Sequence, residues 1–373
     1  MNFFRILICL FMSLESCVAF QQPPNVNGPP RRPITDSEPR FKVGVIADIQ
    51  YAPIPDGFSH AGIPRYYQNA LDAAKHAAQH FEKEAASLVL NLGDIIDGKC
   101  QAIEAEGGSR LPEGTDAGHE CINHVLEALS HYQTGPILHT YGNHELYNLH
   151  RVHLGEKLNI PFVQEPCGDL VGYRSYSYNG LRFVVLDTND ISILQRCPDT
   201  SRKRKQAELI LAQENPNFPE KENSPAGLEG IQKRFVAFNG AVDQLQLRWL
   251  RETLQEARQF QEKAIILSHQ PILPESCSPV TLVWNFQEIL EVLRGFSDVV
   301  VLSLSGHAHK GGYKRDEESG IHFRVVEAVL ETPAPDNTYA LMDVYHDRLI
   351  MRGYGNCASA EYDFSHCEVG VNA

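Results

Sequence analysis

Seven side chains in five places could hold metal. Asp48 and Gln50 sit in ADIQ, Asp94 in LGDIID, Asn143 in GNHE, His269 in SHQ, and His307 and His309 in GHAH. Oxygen and imidazole donors without thiolates suit a borderline-to-hard divalent ion such as Mn²⁺, Fe²⁺ or Zn²⁺. They disfavour an iron–sulfur or structural zinc site. Seven ligands are too many for one ion, whereas two ions about 3.5–4 Å apart, sharing a carboxylate and a hydroxide, would accommodate them. Taken singly, a GD or a lone His at a strand end is more often a turn or a satisfied polar group. The argument rests on the ordered set.

Each cluster ends an apolar run: VGVIADIQ (43–50), LVLNLGDIID (88–97), ILHTYGNHE (137–145), AIILSHQP (264–271) and VVVLSLSGHAH (299–309). Such runs read as strands buried on both faces, and in open α/β sheets ligands gather outside the carboxyl ends of the strands. One composite site is therefore expected. Helical patterns at 66–86, 120–132, 243–259 and 284–294 alternate with these strands, giving an α/β order. Beyond Gly306, IHFRVVEAVL and YALMDVYHDRLIMRGY read as short strands with a turn at His346-Asp347, expected to add antiparallel strands to a second sheet.

The order Asp-x-Gln, Gly-Asp-x-x-Asp, Gly-Asn-His-Glu, Ser-His, Gly-His-x-His resembles the calcineurin-like metallophosphoesterases. ADIQY (47–51), with Gln50 where most of that superfamily carries His, narrows the likeness. So do RYY (65–67), GNHELYN (142–148), NSPAGL (223–228), FNG (238–240), QLRWL (246–250), SHQPILPES (268–276), VWN (283–285) and GHAHKGGY (306–313). Together these resemble the manganese-dependent ADP-ribose/CDP-alcohol diphosphatase family over about residues 41–355.

The resemblance implies a four-layer α/β/β/α sandwich with mixed sheets and two metal ions, Mn²⁺ by preference, with Fe or Zn as the alternatives. It implies that Asp48, Gln50, Asp94 and His309 hold one ion, and that Asp94, Asn143, His269 and His307 hold the other, Asp94 bridging. A metal-bridging hydroxide would attack one phosphorus of ADP-ribose or of a CDP-alcohol (CDP-choline, CDP-ethanolamine, CDP-glycerol). The products would be AMP or CMP and a phosphorylated alcohol. Asp94 and His144 are the catalytic residues on this reading, His144 stabilising the transition state or protonating the leaving oxygen. Glu145 would orient His144 or cap a turn, and Asp97 would orient a ligand or serve as a helix-start acid. Two alternatives stay open: a phosphodiesterase or phosphomonoesterase of the same superfamily, and a non-enzymatic scaffold.

At 373 residues and 43% hydrophobic content, the chain is an ordinary globular protein. A net charge of −14 argues against nucleic-acid binding, which needs clustered cations; a small-molecule nucleotide diphosphate is the partner that the resemblance implies. A monomer is favoured.

Residues 1–19 read as a signal peptide: Arg5, a short apolar stretch, then Cys17-Val18-Ala19. No stable membrane anchor is expected after cleavage, and the destination is the secretory pathway or the exterior. A plastid, reached by a bipartite presequence, or the cytoplasm is the alternative. A Pro-rich linker (20–40) and a C-terminal tail (356–373) flank the domain (41–355). The domain carries a polar insertion at about 197–230, read as a helix followed by a surface loop, with SRKRK (201–205) as its solvated start.

Cys100 with Cys121, Cys167 with Cys197, and Cys357 with Cys367 could bridge in an oxidising compartment, leaving Cys277. His119, His124, His131, His139 and His150 read as surface or locally bonded. Tyr51, Tyr66, Tyr67 and Trp284 read as core aromatics able to stack a base, and Gly311 and Gly312 as a close approach to phosphate.

A neutral amide donates less charge to a metal than imidazole does, so Gln50 as a ligand favours an exchangeable ion; its plainer role is a donor behind the ligands. Gln50→His is expected to shift metal preference from Mn²⁺ toward tighter-held iron or zinc. Metal-reconstitution assays check this, and an unchanged preference removes the argument.

Overall fold

The computed structural model describes residues 38–102, 104–105, 109–110, 117–166, 168–194 and 201–367. Residues 1–37, Cys167, Cys197 and 368–373 lie outside these, so the expected signal peptide, most of the expected linker and one candidate cysteine pair are not described. No helix among the described residues is long and apolar enough to cross a membrane.

The first sheet is built from β1 (Phe41–Ile46), β2 (Leu88–Asn91), β3 (Ile137–His139), β10 (Tyr339–Val344), β11 (Arg348–Tyr354) and β12 (Ala360–Asp363), in the order β12-β11-β10-β1-β2-β3. The second is built from β4 (Arg174–Tyr178), β5 (Leu181–Val185), β6 (Lys263–Ser268), β7 (Val300–Ser305), β8 (Gly312–Arg315) and β9 (His322–Val325), in the order β4-β5-β6-β7-β9-β8. β1, β2 and β3 run parallel, as do β5, β6, β7 and β9, and antiparallel strands flank both groups.

Residues that alternate along these strands point to opposite faces, which makes the layers. Val43, Val45, Leu88 and Leu90 meet Phe183, Ile265, Leu267 and Leu304 between the sheets. Ile46 and Val89 face outward under α1 (Asn69–Lys83) and α2 (Ala117–Leu129). On the other side, Val184 and Ile266 lie under α6 (Gln244–Gln259) and α7 (Phe286–Arg294). The α/β/β/α sandwich with two mixed sheets is the architecture expected. α1 buries Ala70, Ala73, Ala74, Ala77, Ala78 and Phe81, a helical-period stripe of small residues that lets it lie close on the sheet.

Several expectations change. The 339–354 hairpin joins the first sheet, because the wholly buried β10 pairs antiparallel with the edge of β1 that β2 leaves open. In the second sheet, β9 runs parallel to β7. The expected tail contributes β12 and a turn ending at the buried Cys367, so the sandwich continues past 355. β4 and β5, and the helices α3 (Asn143–Asn148) and α4 (Arg151–Leu158), had no counterpart in the sequence reading.

The SRKRK run does open a helix, α5 (Arg202–Glu214), capped by Ser201. Lys203, however, is buried, with its ammonium held by Glu165 at 2.6 Å, Asp243 at 3.1 Å and Asp190. Those three carboxylates could hold a metal by geometry, and the Lys203 ammonium lies among them, offsetting part of their charge. The loop after α5 is packed, since Asn215 donates to the Phe235, Glu222 and Ser224 carbonyls.

His139 is buried rather than exposed, its pKa pushed down to about 3 by burial and by Arg174. Cys100, Cys121, Cys277 and Cys357 are free thiols, and Cys100, Cys357 and Cys367 donate to the carbonyls of Tyr51, Ala358 and Ser297.

Gly44 in β1 lies under the Phe81 ring; a Cβ there would stand 2.8 Å from ring carbons. Gly44→Ala should therefore destabilise the fold by about 1–3 kcal/mol through overpacking, and by less in a Phe81→Leu background. Urea denaturation of the four-variant cycle checks this, and strictly additive losses would count against the contact.

Candidate metal centre

All seven expected ligands converge at the carboxyl ends of the central strands of both sheets. The turns that deliver them are tight: Asp48, Gln50, Asp94 and His307 take φ of 51°, 45°, 53° and 67°. Non-glycine residues in this left-handed region cost about 1–3 kcal/mol each and persist only where the surroundings over-determine them. Here the amide of Asp48 donates to Gly93 O (3.1 Å), that of Gln50 to Asp94 O (2.8 Å), and that of His307 to both Asp48 carboxylate oxygens (3.0 Å each). Glu145 braces the Asp94 turn, accepting from the amides of Asp94 (2.9 Å), Ile95 (2.5 Å), Ile96 (3.3 Å) and Gly142 (2.7 Å). Of its two expected roles, it fills the turn-capping one.

The side chains form two groups meeting at Asp94. On one side, His269 Nε2 lies 3.2 Å from Asp94 Oδ2, 3.2 Å from Asn143 Oδ1 and 3.1 Å from His307 Nδ1. On the other, Gln50 Nε2 is 3.2 Å from Asp94 Oδ2 and 2.9 Å from His309 Nε2, and His309 Nε2 is 3.7 Å from Asp48 Oδ1.

The tautomers follow from the groups behind the rings. His269 Nδ1 is 2.9 Å from the Leu92 carbonyl, which can only accept, so Nδ1 carries the hydrogen. Asn239 Nδ2 donates to the Arg234 and Val280 carbonyls, so its Oδ1 faces His307 Nε2 at 2.9 Å and accepts there. Glu331 Oε1, at 2.8 Å, accepts from His309 Nδ1. In the neutral form that a metal ligand requires, each of the three rings would turn a nitrogen lone pair inward, toward carboxylate and amide groups. Such a set of electron pairs fits cations and little else. Gln50 turns Nε2 to Asp94 and His309, and its Oε1, buried and without a hydrogen-bond partner, is the end that would have to face an ion.

The protein's own charges report the same field. Burial, partly offset by His309 and His269, pushes Asp48 up to about 6. Burial pulls His269 down, but Asp94 outweighs it and lifts the ring to about 9. Burial also acts against the ionised Asp94, yet His269 and His144 hold it well below the carboxylate range. The residues present thus fit two divalent ions: Asp48, Gln50, Asp94 and His309 would hold one, and Asp94, Asn143, His269 and His307 the other.

His144, between ligand and brace, has a fixed tautomer. The Gly98 amide donates to its Nδ1 at 2.7 Å, so the hydrogen sits on Nε2, which lies 3.9 Å from Asp94 Oδ2. Burial lowers its pKa against the pull of Asp94 and Asp97. It is a neutral donor. Asp97 lies 3.5 Å from His144 Nδ1 and orients no ligand of the metal set.

Above this floor is a cavity of about 410 Å³, also lined by His60, Arg65, Tyr147, Asn223, Phe238 and Thr281. Arg65 and Phe238 lie in stretches that carried the resemblance, without an assigned role. His60 and Thr281 left no sequence signal, because a hairpin and a turn bring them in. Tyr51, Tyr67 and Trp284 are core residues and line none of this cavity. Gly311 and Gly312 are required by protein rather than phosphate: a Cβ would meet Glu327 and the Ser276 carbonyl.

Residues 41–311 match the calcineurin-like phosphoesterase family. The chain is 37% identical over 331 residues to a manganese-dependent ADP-ribose/CDP-alcohol diphosphatase of Arabidopsis thaliana, covering 87% of this chain and 98% of the relative. Proteins of the same name from Mus musculus and Homo sapiens are each 35% identical, over 87% and 86% of this chain and 94% and 92% of their own lengths. Among solved structures, a dimetal phosphatase from Danio rerio superposes with a TM-score of 0.79 at 31% identity, covering 88% of this chain and 100% of the other.

A Cβ on Gly142 would fall 2.1 Å from Asp94 Oδ1 and 2.4 Å from His269 Nε2. Gly142→Ala should therefore fold yet lose Mn²⁺ affinity by at least about tenfold. Equilibrium dialysis beside circular dichroism checks this; unaltered binding would show that the two groups are not ligands.

Proposed function

The chain belongs to the calcineurin-like phosphoesterase family, among relatives of the manganese-dependent ADP-ribose/CDP-alcohol diphosphatases. On that premise we propose that it hydrolyses the diphosphate bond of ADP-ribose and of CDP-alcohols with Mn²⁺, releasing AMP or CMP and a phosphorylated alcohol. One observation carries the substrate class: a cationic group faces the cavity beside the metal ligands. Arg65 lines the cavity with only a loose 3.8 Å approach to Asp97, and its Nε has no hydrogen-bond partner. A diphosphate has two anionic groups, one for the metals and one for such a planar fork of donors. The cavity volume is in the range of small-ligand sites.

When bound, the two ions supply Lewis acidity and lower the pKa of a water. The protein's own part is positional. Asp94 turns its carboxylate to both ligand groups, and Asn143 is fixed at the start of α3 by the Glu145 brace. His144, with Nδ1 engaged by Gly98, offers Nε2–H to an oxygen gaining charge as the diphosphate bond breaks. Because that ring is a neutral donor, its contribution is stabilisation of charge, with the leaving phosphate carrying its own negative charge away.

Purified protein with Mn²⁺ is expected to release AMP from ADP-ribose and CMP from CDP-choline, and chelator should abolish both. Activity confined to phosphodiester or monoester substrates would assign the cavity to another branch of the superfamily, and inactivity without bound Mn²⁺ would favour a scaffold. His144→Ala should lower kcat by about 10²–10³ with Mn²⁺ affinity intact; steady-state kinetics beside metal titration checks it, and an equal loss of metal would sink the donor role.

A further inference from the structure

The three inward-facing imidazoles are supported unequally. Behind His269 stands a backbone carbonyl and behind His307 an amide oxygen, both neutral. Behind His309 stands a carboxylate, Glu331, whose side chain is 14% exposed. The placement of Glu331 is built in. It ends the single 3-10 turn Val329–Glu331, whose amides bond back to the segment carrying Asp48: Val329 N to Ala47 O and Leu330 N to Asp48 O, 3.1 Å each. The preceding Ala328 amide donates to the His309 carbonyl at 3.0 Å. The loop is thus anchored to both stretches that supply this half of the site.

This is the half that contains Gln50, the one neutral amide standing where an imidazole would be the stronger donor. The other half has an amide ligand too, Asn143, but sets two imidazoles beside it. We propose that Glu331 is a positioning residue that compensates for Gln50: by accepting the Nδ1 hydrogen of His309, it makes Nε2 a stronger electron-pair donor, so that the ion of this half is retained despite a weak ligand. The physical basis is that a carboxylate behind an imidazole both fixes the ring and raises its basicity, whereas a neutral acceptor chiefly fixes it. The inference rests on the dinuclear reading above and adds an asymmetry to it.

The test is Mn²⁺ titration of the full chain by calorimetry and by electron paramagnetic resonance. The wild type should bind two ions with a spin-coupled signal. Glu331→Gln keeps a hydrogen-bond acceptor of similar shape and removes the charge; it should weaken one ion by about 10–100-fold, leave the other within about twofold, and replace the coupled signal with that of an isolated ion. Gln50→His placed on Glu331→Gln should recover most of that loss, a rescue that a merely structural role for Glu331 would not give. Unchanged binding in Glu331→Gln, equal loss at both positions, or failure of the rescue would overturn the proposal. A wild type that binds no pair of ions would instead overturn the dinuclear reading, and this inference with it.

Discussion

Electron pairs crowded against one another are the constraint on which this molecule is arranged. Two aspartates, two side-chain amides and three imidazoles meet within a few ångströms, and the carboxylate and ring lone pairs among them repel one another unless a proton or a metal ion lies between. The protein holds it by bonds directed away from the centre: Leu92, Asn239 and Glu331 each take an outward ring hydrogen, and Glu145 gathers four backbone amides behind Asp94. Four residues in left-handed turns add local strain to that repulsion. The sandwich, with buried strands under helices on both faces, supplies the rigidity that both demand.

Close approach is the second requirement, met where side chains are missing. Gly142 and Gly306 leave room for Asp94 and Asp48, whose carboxylate oxygens would stand 2.1 and 2.5 Å from a Cβ. The glycine of each motif is therefore as much a part of the centre as the ligand that follows it. The walls above are built on other terms. Arg65 comes from a short hairpin, Asn223 from the polar insertion and Thr281 from a 3-10 turn, so the part that meets the substrate is assembled from connections while the part that meets metal is fixed to strands.

The division explains what the sequence could show. The ligands were legible because each one ends a run of apolar residues, and strand ends in parallel sheets have a fixed relation to one another. α1, α2, α6 and α7 were legible from their periodic buried faces. Glu331 was not, because nothing in the spacing between it and His309 marks a contact made by a turn folding back onto β1. Lys203 was misread for a related reason: a basic run reads as solvated until Glu165, Asp190 and Asp243, from three distant stretches, are brought around it. β10 and β11 were read as strands, yet their sheet was not legible, since pairing depends on which edge of β1 stays open. Asn239 and Arg65 lie inside the stretches that carry the resemblance, and only the fold shows that the first backs His307 and the second lines the cavity.

That edge of β1 bears on how the protein comes into being. The strand at the middle of the first sheet precedes its antiparallel neighbour, β10, by about three hundred residues, so the two leave the ribosome far apart in time. Until then the strand that leads into Asp48 and Gln50 has one row of backbone groups unpaired, the condition under which strands join the wrong partner. The pocket cannot mature gradually as the ribosome proceeds. His309 and Glu331 also lie late in the chain, so the candidate ligand set is complete only once they have joined it, and a polypeptide halted short of Val344 would expose that edge of β1.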